Sequence, residues 1–189
     1  AESLGKIAPK DKQVIAALKE PLLDSESIVR LRAAGAAKLG GSDAAELIPA
    51  VLEVLGDVEA TVRQEGLRAL QALVTEQAGD EAIEAAIELL KDKNPEVRVE
   101  AVATVGKMGA GAPVINALVA ALLDEHPPVR SRTLEVLAQK SSAAEVAVPA
   151  MIPLCADKSQ EVRVRAVESL AAFGPKAKIR SLDAPQFDV

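Results

Sequence analysis

Residues 92–107 read DKNPEVRVEAVATVGK. Asp92 is followed five residues later by Val97 and six later by Arg98. The same three residues recur as Asp24/Val29/Arg30, Asp57/Val62/Arg63, Asp124/Val129/Arg130 and Asp157/Val162/Arg163, with successive Asp residues 33, 35, 32 and 33 apart. A period of that length, held five times, marks short units stacked end to end, none of which can bury its apolar face alone.

Alignment on the Asp makes two helices readable in each unit. Nine residues before it stand Ile15, Ile48, Ile83, Ile115 and Val148; six before, Leu18, Val51, Ala86, Leu118 and Met151; two before, Leu22, Leu55, Leu90, Leu122 and Cys155. Steps of three and four residues make one apolar stripe on a first helix. After the turn, each Val is followed by Ala33/Ala34, Gly66/Leu67, Ala101/Val102, Thr133/Leu134 and Ala166/Val167, then by Ala37, Leu70, Val105, Leu137 and Leu170. This is the buried stripe of a second helix, with its small first member expected where two helices approach closest.

The turns have their own chemistry. The Asp is placed to accept backbone N–H groups at the start of the second helix, as its cap or just ahead of it. Pro95 and Pro127 fall in the first turn of second helices, where a missing N–H costs little. Gly40-Gly41, Gly79, Gly109-Ala110-Gly111 and Ser141-Ser142 separate one helix pair from the next. Pro21, Pro49, Pro149 and Pro153 lie within first helices and predict bends there.

The repeated Asp with Val-Arg opening the second of two helices resembles the HEAT repeat, in particular the short HEAT-like units also found in phycobilisome lyases. The resemblance spans about residues 13 to 174. It implies an all-α, right-handed α-solenoid of five helix pairs, with repeats at about 13–41, 42–79, 80–111, 112–142 and 143–174. It also implies a structural ladder in which each Arg bridges to the Asp of a neighbouring unit: Asp24, Asp57, Asp92, Asp124 and Asp157 with Arg30, Arg63, Arg98, Arg130 and Arg163.

Both ends depart from the pattern. Residues 1–10 (AESLGKIAPK) match 167–176 (VESLAAFGPK), so residues 1–12 are expected to be the remnant of a preceding repeat in a longer array. Residues 175–189 lose the period and are expected to form a tail or cap, with Phe187 as a candidate for docking onto the last unit.

Composition narrows the function. Phe173 and Phe187 are the only aromatics, so the core is aliphatic and thin. The net charge of −6 argues against general affinity for nucleic acid or anionic membranes. Cys155 is the single cysteine and sits on the apolar stripe, which predicts an inert core thiol. One cysteine fits the cytoplasm best and leaves the compartment open, since a removed N-terminus could have carried an export signal. His126, the single histidine, reads as a solvated turn residue, because a triad would need a nucleophile beside it and a zinc site more ligands. Asp80/Glu81 and Asp124/Glu125 read as solvated turn charge, and no phosphate-binding Gly-rich loop occurs. No catalytic residue, cofactor or metal is expected.

Binding is the better reading. Second helices usually line the concave side of such arrays. Eight residues after each Asp stand Arg32, Glu65, Glu100, Arg132 and Arg165; eleven after, Gly35, Arg68, Ala103, Glu135 and Glu168, with Lys107 nearby. A phosphate-binding face would carry a continuous basic stripe, whereas mixed charge suits a protein or peptide partner. The expected function is a monomeric, non-enzymatic protein-binding scaffold. The alternatives are an accessory module of an enzyme system, such as a HEAT-like chromophore lyase, and, further off, nucleic-acid binding.

Overall fold

The computed structural model describes residues 12–74 and 79–174. The expected remnant repeat, apart from Lys12, and the expected tail with Phe187 lie outside the described residues. Within them the fold is an all-helical solenoid of stacked helix pairs, without a strand. In the first pair α1 (Lys12–Ala16) and α2 (Lys19–Leu22) stand before α3 (Ser27–Gly40). Then follow α4 (Ile48–Leu55) and α5 (Ala60–Leu73), α6 (Asp80–Glu88) and α7 (Pro95–Lys107), α8 (Ala112–Ala121) and α9 (Pro127–Ala138), and α10 (Ala144–Met151) and α11 (Gln160–Phe173). The second helices α3, α5, α7, α9 and α11 pack in succession, each on the next. This is how a chain nearly devoid of aromatics finds a core: each unit's apolar stripe is covered by its neighbours.

The stripes are buried where the period places them. Leu18, Val51, Ala86, Leu118 and Met151 are all within 2% of complete burial, and so are Val62, Val97, Val129 and Val162. Small residues sit at the tightest crossings. A Cβ on Gly66 would meet Val54 Cγ1 at 2.9 Å, and one on Gly106 of α7 would meet Val136 Cγ1 of α9 at 2.5 Å. Thr104 ties α7 to α5, its Oγ1 donating to the Leu67 carbonyl at 3.2 Å and to that of Glu100 at 2.9 Å.

The prolines break first helices rather than bend them. Pro21 lies in the short α2, Pro49 opens α4 after a 3₁₀ stretch at Gly41–Leu47, and Pro153 opens a 3₁₀ stretch at Ile152–Ala156. Pro149 alone sits inside an α-helix of normal pitch. The 3₁₀ stretch corrects one expectation. Cys155 is exposed, not a core thiol, and Leu154 takes the buried position at 8% exposure. With about three residues per turn, residue i+3 eclipses residue i, so Leu154 stands over buried Met151 and Cys155 is turned outward. Val167 also departs from its stripe, 59% exposed where Leu134 of the preceding unit is fully buried, because no described second helix follows α11.

The turn ladder and the second-helix face

Each turn is assembled around its Asp. The Asp is not the cap itself but stands two residues ahead of it. Oδ1 of Asp24, Asp57, Asp92, Asp124 and Asp157 accepts the backbone N–H of Glu26, Glu59, Asn94, His126 and Ser159, the N-cap residues, at 2.8–2.9 Å. Asn94 adds a side-chain cap, accepting from the Glu96 and Val97 N–H groups. The Asp thus fixes the turn and places negative charge near the positive helix end.

The Arg six residues on is held by its own unit and by the next. Nη1 of Arg30, Arg63, Arg98, Arg130 and Arg163 donates to the backbone carbonyl of its own unit's Asp at 2.7–2.9 Å. Across the unit boundary, Arg63 forks onto Asp92 at 2.6 and 2.8 Å, Arg98 onto Asp124 at 2.7 and 3.0 Å, and Arg130 onto Asp157 at 2.9 and 2.7 Å. Arg30 Nε donates to Asp57. Among the described residues Asp24 receives no Arg and Arg163 reaches no carboxylate, since no described unit precedes the first or follows the fifth.

These rungs are largely out of water. The Arg63 and Asp92 side chains retain 7% and 6% exposure, and those of Arg98 and Asp124 retain 7% and 10%. Burial pushes the carboxyls of Asp57, Asp92 and Asp124 up, and the hydrogen bonds from the Arg and the backbone N–H outweigh it, holding all three below the usual carboxylate range. At Asp157 the Arg130 hydrogen bond is the larger influence and lowers it directly. The same bonds raise Arg30, Arg63 and Arg98 above the ordinary guanidinium range.

His126 is more engaged than a solvated turn residue. Its ring is 44% exposed, but Nδ1 lies 2.9 Å from Arg98 Nη2 and 3.4 Å from a Glu125 carboxylate oxygen. The ring belongs to the edge of the third rung, a contact invisible in sequence because Arg98 comes from the neighbouring unit.

The second-helix face carries a different set of pairs. Glu65 takes Lys38 at 2.7 Å and Arg68 at 3.2 Å, and Arg68 reaches on to Glu100 at 2.9 Å, so a relay links the first three units. Beyond it the pairs stay within one helix: Arg132 with Glu135 at 2.8 Å and Arg165 with Glu168 at 3.0 Å. Arg32 is exposed on α3, Gly35 is partly covered and Ala103 is buried at 8%. Lys107 ends α7, exposed, and meets no carboxylate among the described residues.

Lys107 lines an open groove of about 810 Å³ that runs across the ends of α5, α7 and α9. Gln71, Gln139 and Lys140 share that lining with Ser42, Ser141 and Ser142 of the inter-unit turns. The positions eight and eleven after the Asp do not reach this rim. Lys107, already a candidate from sequence, stands fifteen after its Asp, and the same step in the next unit gives Gln139, the signal that would have extended the face to this rim.

The chain matches the family of HEAT repeats over residues 48–138 and again over 115–184, together most of its length. It belongs to the HEAT-repeat family. No curated protein is similar enough in sequence to stand as a relative. Among solved structures the HEAT array is similar to computationally designed armadillo repeat proteins for modular peptide recognition, at 22% identity and a TM-score of 0.59, covering 91% of each chain. It is also similar to Cex1p, at 20% identity and a TM-score of 0.69, covering 85% of this chain and 35% of that one. A third likeness is to a chain of the Pds5–Scc1 complex, at 14% identity and a TM-score of 0.64, covering 85% and 30%. At these identities the likeness is one of fold. Among the described residues no helix is long and apolar enough to cross a membrane, and no group of three or more His, Cys, Asp or Glu is placed to hold a metal ion.

Proposed function

We propose that this HEAT array is a non-enzymatic scaffold that holds a protein or peptide partner along its second-helix face. The observation that carries the reading is the division of the charges. The Asp and Arg residues of the turns are committed to joining units, while the second helices carry a separate set of mixed charge, interrupted at Gly35 and Ala103 and part-exposed at Arg132, Glu135, Arg165 and Glu168. Solved arrays of similar fold are described as recognising peptides and as part of a protein complex, which agrees with that use. We assign Asp24, Asp57, Asp92, Asp124, Asp157 and their arginines to the stack, and Arg32, Glu65, Arg68, Glu100, Lys107, Arg132, Glu135, Arg165 and Glu168 to the binding face.

Phosphate is a poor fit for that face, because Arg68, Arg132 and Arg165 already answer carboxylates of their own chain and, among the described residues, no aromatic is interleaved with them for stacking. The test is affinity capture from source cells with the native chain and with Arg32, Arg68, Arg132 and Arg165 changed to Glu, both checked for equal melting. Proteins retained by the native chain alone place the partner on this face. Identical recovery by both removes the face from the function.

A further inference from the structure

We propose that the groove across the ends of α5, α7 and α9 takes an extended acidic peptide segment, with Lys107 as its charge contact and Gln71 and Gln139 as its backbone contacts. This deepens the scaffold reading and rests on it. Charge complementarity argues for the acid. In a chain of net charge −6, none of the described residues lining this groove is Asp or Glu, and Lys107 among them is exposed. The acidic side chains assigned to the face do not supply the missing carboxylate: Glu65, Glu100, Glu135 and Glu168 are each paired with a cation of the chain. Once those pairs are subtracted, Lys107 is the cation of this rim that meets no carboxylate among the described residues.

The opposing influence is the carbonyl ends of three helices, which favour cations over carboxylates. Part of it is already answered within the fold. The N–H groups of Val74, Met108 and Gln139 bond back to carbonyls of the last turns of α5, α7 and α9, and Lys140 Nζ donates to the Gly109 carbonyl. The shape argues for an extended chain. Three helices packed side by side at the usual 8–10 Å span about 20 Å, the reach of roughly six residues in a strand. Gln71, Lys107 and Gln139 come one from each of the three units, and an amide can both donate to and accept from a peptide backbone. Gly106 keeps the groove floor close to the backbone, since α7 and α9 approach too tightly there to admit a Cβ.

The test is fluorescence anisotropy of short labelled peptides built from alternating Glu and Ala, Gln and Ala, or Lys and Ala. The Glu peptide is expected to bind about tenfold more tightly than the Gln peptide at low salt, to weaken as salt rises, and to outbind the Lys peptide further still. Lys107→Glu is expected to weaken it about tenfold with the melting curve unchanged, because Lys107 is exposed and unpaired with any described carboxylate. Gln139→Ala, also at an exposed position, should cost a few-fold. Equal binding of the Glu and Gln peptides, indifference to Lys107→Glu, or no binding of the Glu peptide each overturns the proposal. If the Glu peptide fails while the capture experiment above still places a partner on the second-helix face, the acidic groove falls and the scaffold stands. If both fail, the two fall together.

Discussion

The chain makes the same chemical pair, a guanidinium with a carboxylate, in two places with different consequences. In the turns, Arg63 and Asp92 are almost fully buried, meet through two hydrogen bonds, and are each held by further bonds to backbone. On the second-helix face, Arg165 and Glu168 meet through one hydrogen bond at 3.0 Å with side chains 41% and 57% exposed. A buried pair with every lone pair answered is rigid and costly to break, while an exposed pair is screened by water and exchanges readily. The buried pairs of the turns therefore join the units, while the pairs within α9 and α11 stay open to solvent.

The sharpest way to break this comparison is to unbalance the inside. Val97→Asp places an uncompensated charge at a site 1% exposed in the middle unit. It should cost roughly 3–5 kcal/mol or more, enough to abolish a single cooperative unfolding transition. Denaturant unfolding followed by circular dichroism reads it directly, and a wild-type curve would mean that the units do not share one core. Next in size is Arg98→Ala, which leaves Asp124 buried without its fork, at about 3 kcal/mol. Replacing Arg63 and Asp92 together by Leu should cost less than replacing Arg63 alone, since the double change leaves no orphaned charge. The reverse order would show that the rung acts through attraction and not through the penalty of leaving it half made.

Acid sharpens the comparison without mutation. The carboxyls of Asp57, Asp92, Asp124 and Asp157 are depressed in the folded chain, so the stability they contribute is fully present above the unfolded value of about 3.9. It is lost as the pH falls below that and through their folded values. The urea midpoint should be flat from neutrality down to about pH 5 and then fall steeply. In Asp92→Asn the steep limb should shrink and the neutral midpoint should drop.

The helices were legible because their apolar positions recur at fixed spacing within each unit and from unit to unit. The ladder does not follow from spacing: the contact from Arg63 to Asp92 is implied by the resemblance to the HEAT repeat, and the side chains meet across the unit boundary. Cys155 was misread because the stripe assumed 3.6 residues per turn throughout, and Pro153 winds the end of that first helix more tightly. The pairing of Glu65 with both Lys38 and Arg68 depends on the lateral register of neighbouring helices, which the repeat period does not carry. The contact between His126 and Arg98 escaped for the same reason, and the groove because Lys107 was followed in one unit while Gln139, at the same step of the next, was not.

The smallest expected effect is the most discriminating. Arg165→Ala removes a pair between residues three apart on one exposed helix, which contributes about 0.3–0.5 kcal/mol at low salt and less as salt rises. Arg68→Ala should cost more, up to about 1 kcal/mol, because Arg68 joins two units through Glu65 and Glu100, whose side chains are only 14% and 16% exposed. The three arginines should therefore rank Arg98, Arg68, Arg165 in the same chemical denaturation assay, following the burial of their carboxylates and not their contact distances, which all lie between 2.7 and 3.2 Å. Equal losses at Arg98 and Arg165 would mean that distance alone sets the strength of a pair in this array. The separation of structural from exchangeable charge, and with it the case for a binding face, would then have no energetic basis.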